Sequence, residues 1–266
     1  MNKTANMCLS LVLAAAICEF GYAQNINKGS INFFSIEKEI ELGRRLADEV
    51  ERQIPLIDDA SINEYVTRLG RNIARNSDVA VPTTFKVTTS RDLDAFSLPG
   101  GFVYINAGLI LECTNEAEVA SVIAYQLAHI AARHVTEMQS KAELVNFAGI
   151  PLVFQGGVAT HSFRQTSALA PQQFFQFYRK NVTEADSLGV QYLYKTGYDP
   201  NAAVTMLQKV QALDASKRPS THPSPSDRLR DAQKVIDGLP PMPQRVVTDS
   251  PEFQSTKERL TKIINR

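Results

Sequence analysis

A single α+β domain, mainly helical with one small β-sheet, is the fold class this sequence predicts, and three features predict it. Apolar residues recur at helical spacing on both sides of a short central region. That central region, 82–106, instead alternates apolar with polar residues and is punctuated by Pro and Gly. The third feature is composition: 44% hydrophobic and 21% charged residues in a chain of 266, the balance of a globular protein. A chain of this length buries about three quarters of its unfolded surface and needs no covalent staple. Its 28 Lys plus Arg offset 28 Asp plus Glu, which argues against a nucleic-acid partner gripped through its phosphates.

Residues 1–23 read as a secretory signal peptide. Lys3 precedes an apolar run from Leu9 to Cys18, and Gly21-Tyr22-Ala23 sets small residues three and one before a cut that leaves Gln24 first. The run is too short to span a bilayer. No stable transmembrane segment is expected after its removal, and a secreted or periplasmic location is. Of Cys8, Cys18 and Cys113, only Cys113 survives the cut, so no internal disulfide is expected, and Cys113 reads as a small semi-buried residue. Residues 24–243 are expected to form the domain and 244–266 a charged helical tail.

Within the domain, Ile36 to Gln53 is an amphipathic helix ended by Pro55, with Ile36, Ile40, Ala47 and Val50 near one face. Ser61 to Arg75 is a second helix, with Ile62, Tyr65, Val66, Leu69 and Ile73 inward. Pro82 to Ser90 is a strand, Pro99-Gly100-Gly101 a turn, and Phe102 to Asn106 another strand. Asn115 to Glu137 carries the strongest helical pattern, with Thr114 as N-cap, Glu116 and Glu118 in the first turn, and a ridge of Val119, Ile123, Leu127 and Ile130. The stretch 144–159 is apolar but broken by Pro and Gly, and reads as buried helix pieces or a lid. Gln172 to Lys195 is helical up to Gly197. Further helices are expected over Asn201 to Leu213 and Ser226 to Asp237, and one beyond Glu252 whose alternating charges face solvent.

The chemistry belongs on the helix that starts at Asn115. A zinc hydrolase built on a helix places two His at i and i+4 on one face, with a Glu directly after the first as general base. His129 stands at the second His position, and Tyr125 and Gln126 at those of the first His and the Glu. That spacing alone says little, because any His has a residue four before it. The surroundings say more. Asn115-Glu116-Ala117-Glu118 opens the segment and Ala131-Ala132-Arg133-His134 closes it. Asp94-Ala95-Phe96-Ser97-Leu98-Pro99-Gly100-Gly101-Phe102-Val103-Tyr104 precedes it. Glu184-Ala185-Asp186-Ser187-Leu188-Gly189 and Gly197-Tyr198-Asp199-Pro200 follow, then Thr221-His222-Pro223 and Arg228. In this order the stretches resemble the zinc metallopeptidases of the CAAX-prenyl-protease/HtpX type, which are gluzincins, and among them the exported BepA-like branch.

The resemblance implies a zincin-like domain whose small mixed sheet lays an edge strand, near Leu93, Asp94, Ala95, Phe96 and Ser97, beside the active-site helix. It implies a zinc-dependent endopeptidase acting on polypeptide, with a place in envelope protein quality control. It also puts the first His ligand at Tyr125, the general base at Gln126, the second His ligand at His129 and the third ligand, a Glu, at Val182. Asp186 falls at the Asp that supports the site, and His222 at a His that assists the reacting carbonyl.

Three of those positions carry the wrong side chain. Valine has no lone pair. Tyrosine binds zinc only as phenolate, and forming it at pH 7 costs about 4 kcal/mol from a pKa near 10. Glutamine is nearly isosteric with glutamate but takes no proton from water. Glu184 lies about 200° round the helix from Val182 and is expected to point away; Asp186 shares its face and could form a weak site with His129 and His222. His134, five positions after His129, is expected off its face. No cofactor is predicted, and zinc only if the family activity survives. Three readings follow: a degenerate, exported pseudoprotease that binds polypeptide or a partner, an active zinc endopeptidase with unusual ligands, or a scaffold whose groove is unused.

Overall fold

The computed structural model describes residue 26 and residues 30–144, 172–213, 223–242 and 245–265. The signal-peptide reading, the stretch 145–159 and His222 lie outside the described residues. Nine helices and three strands are seen among those described: α1 Ile36–Gln53, α2 Ala60–Arg75, β1 Thr84–Thr88, β2 Ala95–Leu98, β3 Phe102–Asn106, α3 Ala107–Glu112, α4 Glu116–Ala131, α5 His134–Leu144, α6 Gln172–Thr196, α7 Asn201–Leu213, α8 Pro225–Asp237 and α9 Pro251–Ile264. The fold is α+β, as expected, and no described helix is long and apolar enough to cross a membrane.

The sheet is mixed, in the order β1-β3-β2. β1 runs parallel to β3 and β2 antiparallel to it, with Ala95 opposite Ile105 and Leu98 opposite Phe102. β2 is thus the edge strand on the α4 side. Its side chains are buried on both faces: Phe96 and Leu98 pack with Ala47 and Val50 of α1, while Ala95 joins the main core. The turn Pro99–Gly101 that joins β2 to β3 needs its glycines. Gly101 has φ 102, a left-handed value only glycine adopts cheaply, and a Cβ there would sit 2.0 Å from the Pro82 carbonyl oxygen.

α4 is the central element. Val119, Ala120, Ile123, Ala124, Leu127 and Ala128 are all fully buried, between α2, α6, α7 and the sheet. A helix apolar nearly all round belongs in the middle of a domain. Its cap is Asn115, not Thr114 as the sequence suggested: the Asn115 side chain accepts from the Glu118 amide at 3.1 Å. The other first-turn amides are met by the C-terminal segment, Ala117 by the Thr248 carbonyl at 2.9 Å and Glu116 by Asp249 Oδ1 at 3.1 Å. That segment continues into α9, whose Phe253 and Leu260 are fully buried in the main core. Each such burial is worth about 1.5–3 kcal/mol, so the charged helix presents one apolar face to the domain. Cys113 is buried, and burial pushes its thiol up to about 12, which makes it inert at neutral pH.

The long helix expected to run to Glu137 is two helices. α4 ends at Ala131, and Arg133 then takes φ 54 before α5 begins at His134. The left-handed turn is held by long-range partners. Arg133 Nε donates to Glu39 Oε2 at 2.7 Å, and its terminal nitrogen to the Phe34 carbonyl at 2.6 Å. Glu39 is 2% exposed and also accepts from Thr136 Oγ1 at 3.0 Å. A non-glycine residue in this region costs about 1–3 kcal/mol, which the buried ion pair and its hydrogen bonds offset.

Candidate functional site

Tyr125, Gln126 and His129 occupy one stretch of α4, and Val182 and Asp186 lie one turn apart on α6. The two helices meet closely because residue 189 has no side chain: a Cβ on Gly189 would lie 3.2 Å from both the Cα and the N of Tyr125. That contact sets the stretch of α4 that carries Tyr125, Gln126 and His129 against α6, which carries Val182 and Asp186.

What fills the meeting point is aromatic and apolar, plus one ion pair. The Tyr125 ring stands edge-on to His129, with centroids 4.7 Å apart at 84°. The guanidinium of Arg228, from α8, lies over that ring at 5.3 Å, a cation–π geometry. Arg228 also holds Asp186 with two hydrogen bonds of 2.8 and 2.7 Å. Burial opposes the charge on Arg228, but the Asp186 carboxylate outweighs it and keeps the guanidinium protonated. Burial pushes the Tyr125 phenol well above its ordinary range, even against the pull of Arg228. Val182 is fully buried and packs with Met138 and Tyr178.

His129 has a neighbour that sequence spacing misplaced. His134 Nδ1 lies 2.9 Å from His129 Nδ1, both rings buried, and its Nε2 lies 3.4 Å from Glu184 Oε2. Two Nδ1 atoms at that distance share one proton, because one must donate and the other accept. His134 was expected off the His129 face; the break at Arg133 turns it back. Glu184, expected to point away from Val182, reaches His134. One signal for the break was present. Gly43, Ala47 and Val50 form the buried stripe of α1, and one turn earlier that stripe holds Glu39, a charge needing a buried partner.

Gln126 faces the edge strand. Its Nε2 donates to the Ala95 carbonyl at 2.8 Å, and its Oε1 accepts from Ser97 Oγ at 2.9 Å. Asp94 Oδ1 accepts from the Ala95 amide at 2.8 Å. Phe96 stacks on Tyr104 at 4.9 Å. Leu93 and Asp94 are half-buried, and Pro99, Gly100 and Gly101 are buried in the following turn.

These side chains do not fit a zinc ion. A catalytic zinc needs three protein ligands and an open position. His129 is one candidate, and its Nδ1 already meets His134. Val182 offers no lone pair, burial pushes the Tyr125 phenol up, and Asp186 is held by Arg228; the third member of the weak site sketched from Asp186, His222, lies outside the described residues. Among the described residues, no group of three or more His, Cys, Asp or Glu is placed to hold a metal.

The sequence pattern of peptidase family M48 matches residues 60–236. The chain is 30% identical over 247 residues to the beta-barrel assembly-enhancing protease of Escherichia coli (strain K12), covering 87% of this chain and 50% of that protein. It is 33% identical over 242 residues to the protein of the same name from Yersinia pestis, covering 85% and 49%. The mitochondrial metalloendopeptidase OMA1 of Schizosaccharomyces pombe is 28% identical over 233 residues, covering 82% and 66%. The chain thus spans about half the length of the beta-barrel assembly-enhancing proteases it matches. A matched pattern running from the first residue of α2 almost to the end of α8 takes in both site helices and the edge strand, and by it this chain belongs to peptidase family M48.

Proposed function

We propose that this chain is an exported, catalytically degenerate M48 protein that holds extended polypeptide along β2 without cutting it. The observation that carries the reading is the state of Gln126. At the position where the family resemblance puts a general base stands a carboxamide, bonded to the Ala95 carbonyl and the Ser97 hydroxyl. A carboxamide takes no proton from water. Tyr125 with its proton retained, and Val182 in an apolar cluster, support it. An edge strand beside a helix is a surface to which an extended chain adds by backbone hydrogen bonds. Export rests on residues 1–23, and N-terminal sequencing of protein recovered outside the cytoplasm should begin at Gln24.

A second reading is an active zinc endopeptidase with unusual ligands, favoured by the relatives named as proteases and metalloendopeptidases. One experiment separates the two. Purified mature protein should contain well under one zinc per chain and leave casein intact. Stoichiometric zinc with chelator-sensitive cleavage of casein would establish the second reading in place of the first.

A further inference from the structure

The edge of β2 is partly occupied from within. Antiparallel strands alternate between residues whose backbone groups face the partner strand and residues whose groups face away. The Asn106 amide donates to the Asp94 carbonyl at 3.0 Å, which fixes the alternation. Asp94, Phe96 and Leu98 turn their backbone groups to β3; Ala95 and Ser97 turn theirs outward. An added peptide strand would pair with those outward groups. Both of Ala95's are already met, its N–H by Asp94 Oδ1 and its C=O by Gln126 Nε2.

The orientation of the carboxamide is forced. Ala95 O only accepts, so the NH2 end must face it, and the Ser97 hydroxyl then donates to Oε1. Gln126 is 5% exposed and Ser97 4%, so both bonds lie where water competes little. A glutamate at 126 could not make this arrangement, because an ionised carboxylate only accepts and would set oxygen against the Ala95 carbonyl. Glutamine in this place therefore does more than remove a base: it supplies a donor that ties the central helix to the edge strand.

We propose that Gln126 is a latch on the polypeptide-binding edge. Its carboxamide takes the hydrogen bond an incoming backbone N–H would make to Ala95, and with Ala95 and Ser97 each 4% exposed the edge takes up an extended peptide only when the carboxamide swings away. The proposal rests on the reading of β2 as a polypeptide-binding strand and adds what regulates it.

The test uses the mature protein and a short fluorescein-labelled peptide of alternating valine and threonine. Gln126→Ala should bind it about three- to tenfold more tightly than wild type, the worth of one backbone hydrogen bond no longer contested. Ser97→Ala, which removes only the donor that orients the carboxamide, should give a smaller gain. In nitrogen-15-labelled wild type the Gln126 side-chain amide protons should exchange slowly with solvent and lose that protection when peptide binds. Equal affinity in all three proteins, or protection unchanged by bound peptide, overturns the latch and leaves the polypeptide reading standing. No binding by any of the three overturns the polypeptide reading and the latch with it.

Discussion

At the N-terminal end of α4, Glu116 accepts hydroxyl groups from Tyr65 at 3.1 Å, Tyr198 at 2.6 Å and Ser250. It is a buried carboxylate whose needs are met by α2, the end of α6 and the C-terminal segment. Near the other end of the same helix, Tyr125 faces Arg228, His129 and Gly189, and Val182 closes against Met138 and Tyr178. The first region keeps a polar network complete with protein groups. The second sets a ring, a methyl-bearing side chain and an ion pair at positions where the family resemblance puts metal ligands and their support. The difference teaches that one end of α4 is tied down by hydroxyl-to-carboxylate hydrogen bonds and the other by ring, apolar and ion-pair contacts.

The largest expected effect comes from placing one carboxylate in the second region alone. Val182→Glu buries a carboxylate in the Met138 and Tyr178 cluster. Burial raises such a group by about 3–5 pH units, so the variant should lose about 4–7 kcal/mol of stability at pH 7. Zinc should not rescue it. Adding Tyr125→His and Gln126→Glu in the same chain supplies two His, a Glu and a base, and zinc should then raise Tm. Thermal unfolding of the single and triple variants, with and without zinc, checks both statements. A triple variant that folds but gains nothing from zinc would show Val182 or Tyr125 to be wrongly assigned.

An intermediate effect should separate the two ends of α4 by pH. At the N-terminal end, burial and then the Glu116 carboxylate raise the Tyr65 and Tyr198 phenols. At the other end, burial raises Tyr125 while Arg228 pulls it back. Every one of these phenols keeps its proton in the folded chain at a pH where the unfolded chain, with phenols near 10, gives it up. Their contribution to stability is therefore whole below about pH 10 and is lost as pH rises above it. Tyr125 should ionise before Tyr65 and Tyr198. Ultraviolet difference titration of the three Tyr→Phe variants reads the order, and simultaneous ionisation at all three would erase the distinction drawn between the regions.

How much of this was legible in the sequence follows the same division. α1 and α7 start and stop where periodicity and Pro placed them, and the inward faces of α2 match residue by residue, because those elements answer to local pattern. The break at Arg133 was not legible locally: no Gly or Pro marks it, and the left-handed turn is imposed by Glu39 from 94 residues away. With the break unseen, His134 went to the wrong face and the pairing of His129, His134 and Glu184 was missed. The positions of Tyr125, Gln126 and Val182 were legible only through their neighbours' resemblance to a family. What Gln126 does there was not, since the Ala95 carbonyl and Ser97 hydroxyl reach it through the tertiary fold.

The smallest expected effect tests what kind of residue Tyr125 has become. Its ring is placed by two contacts, the guanidinium above it and the near-perpendicular His129 ring beside it, while Gly189 of α6 lets its backbone come close. None of these uses the phenolic oxygen. Tyr125→Phe keeps the ring and both of its faces, so it should change stability by less than about 1 kcal/mol, within the range of volume-conserving swaps. Tyr125→Ala should cost about 3–5 kcal/mol, the usual loss for emptying an aromatic site, and should loosen the hold on Arg228. If the phenol instead served as a ligand, removing one oxygen would abolish metal binding and take with it whatever stability the metal supplied. The comparison of Phe with Ala at 125, by urea unfolding in buffer with zinc and in buffer with chelator, therefore reads packing against ligation in one series. A Phe variant as unstable as the Ala variant, in zinc only, would mean that this end of α4 still answers to a metal.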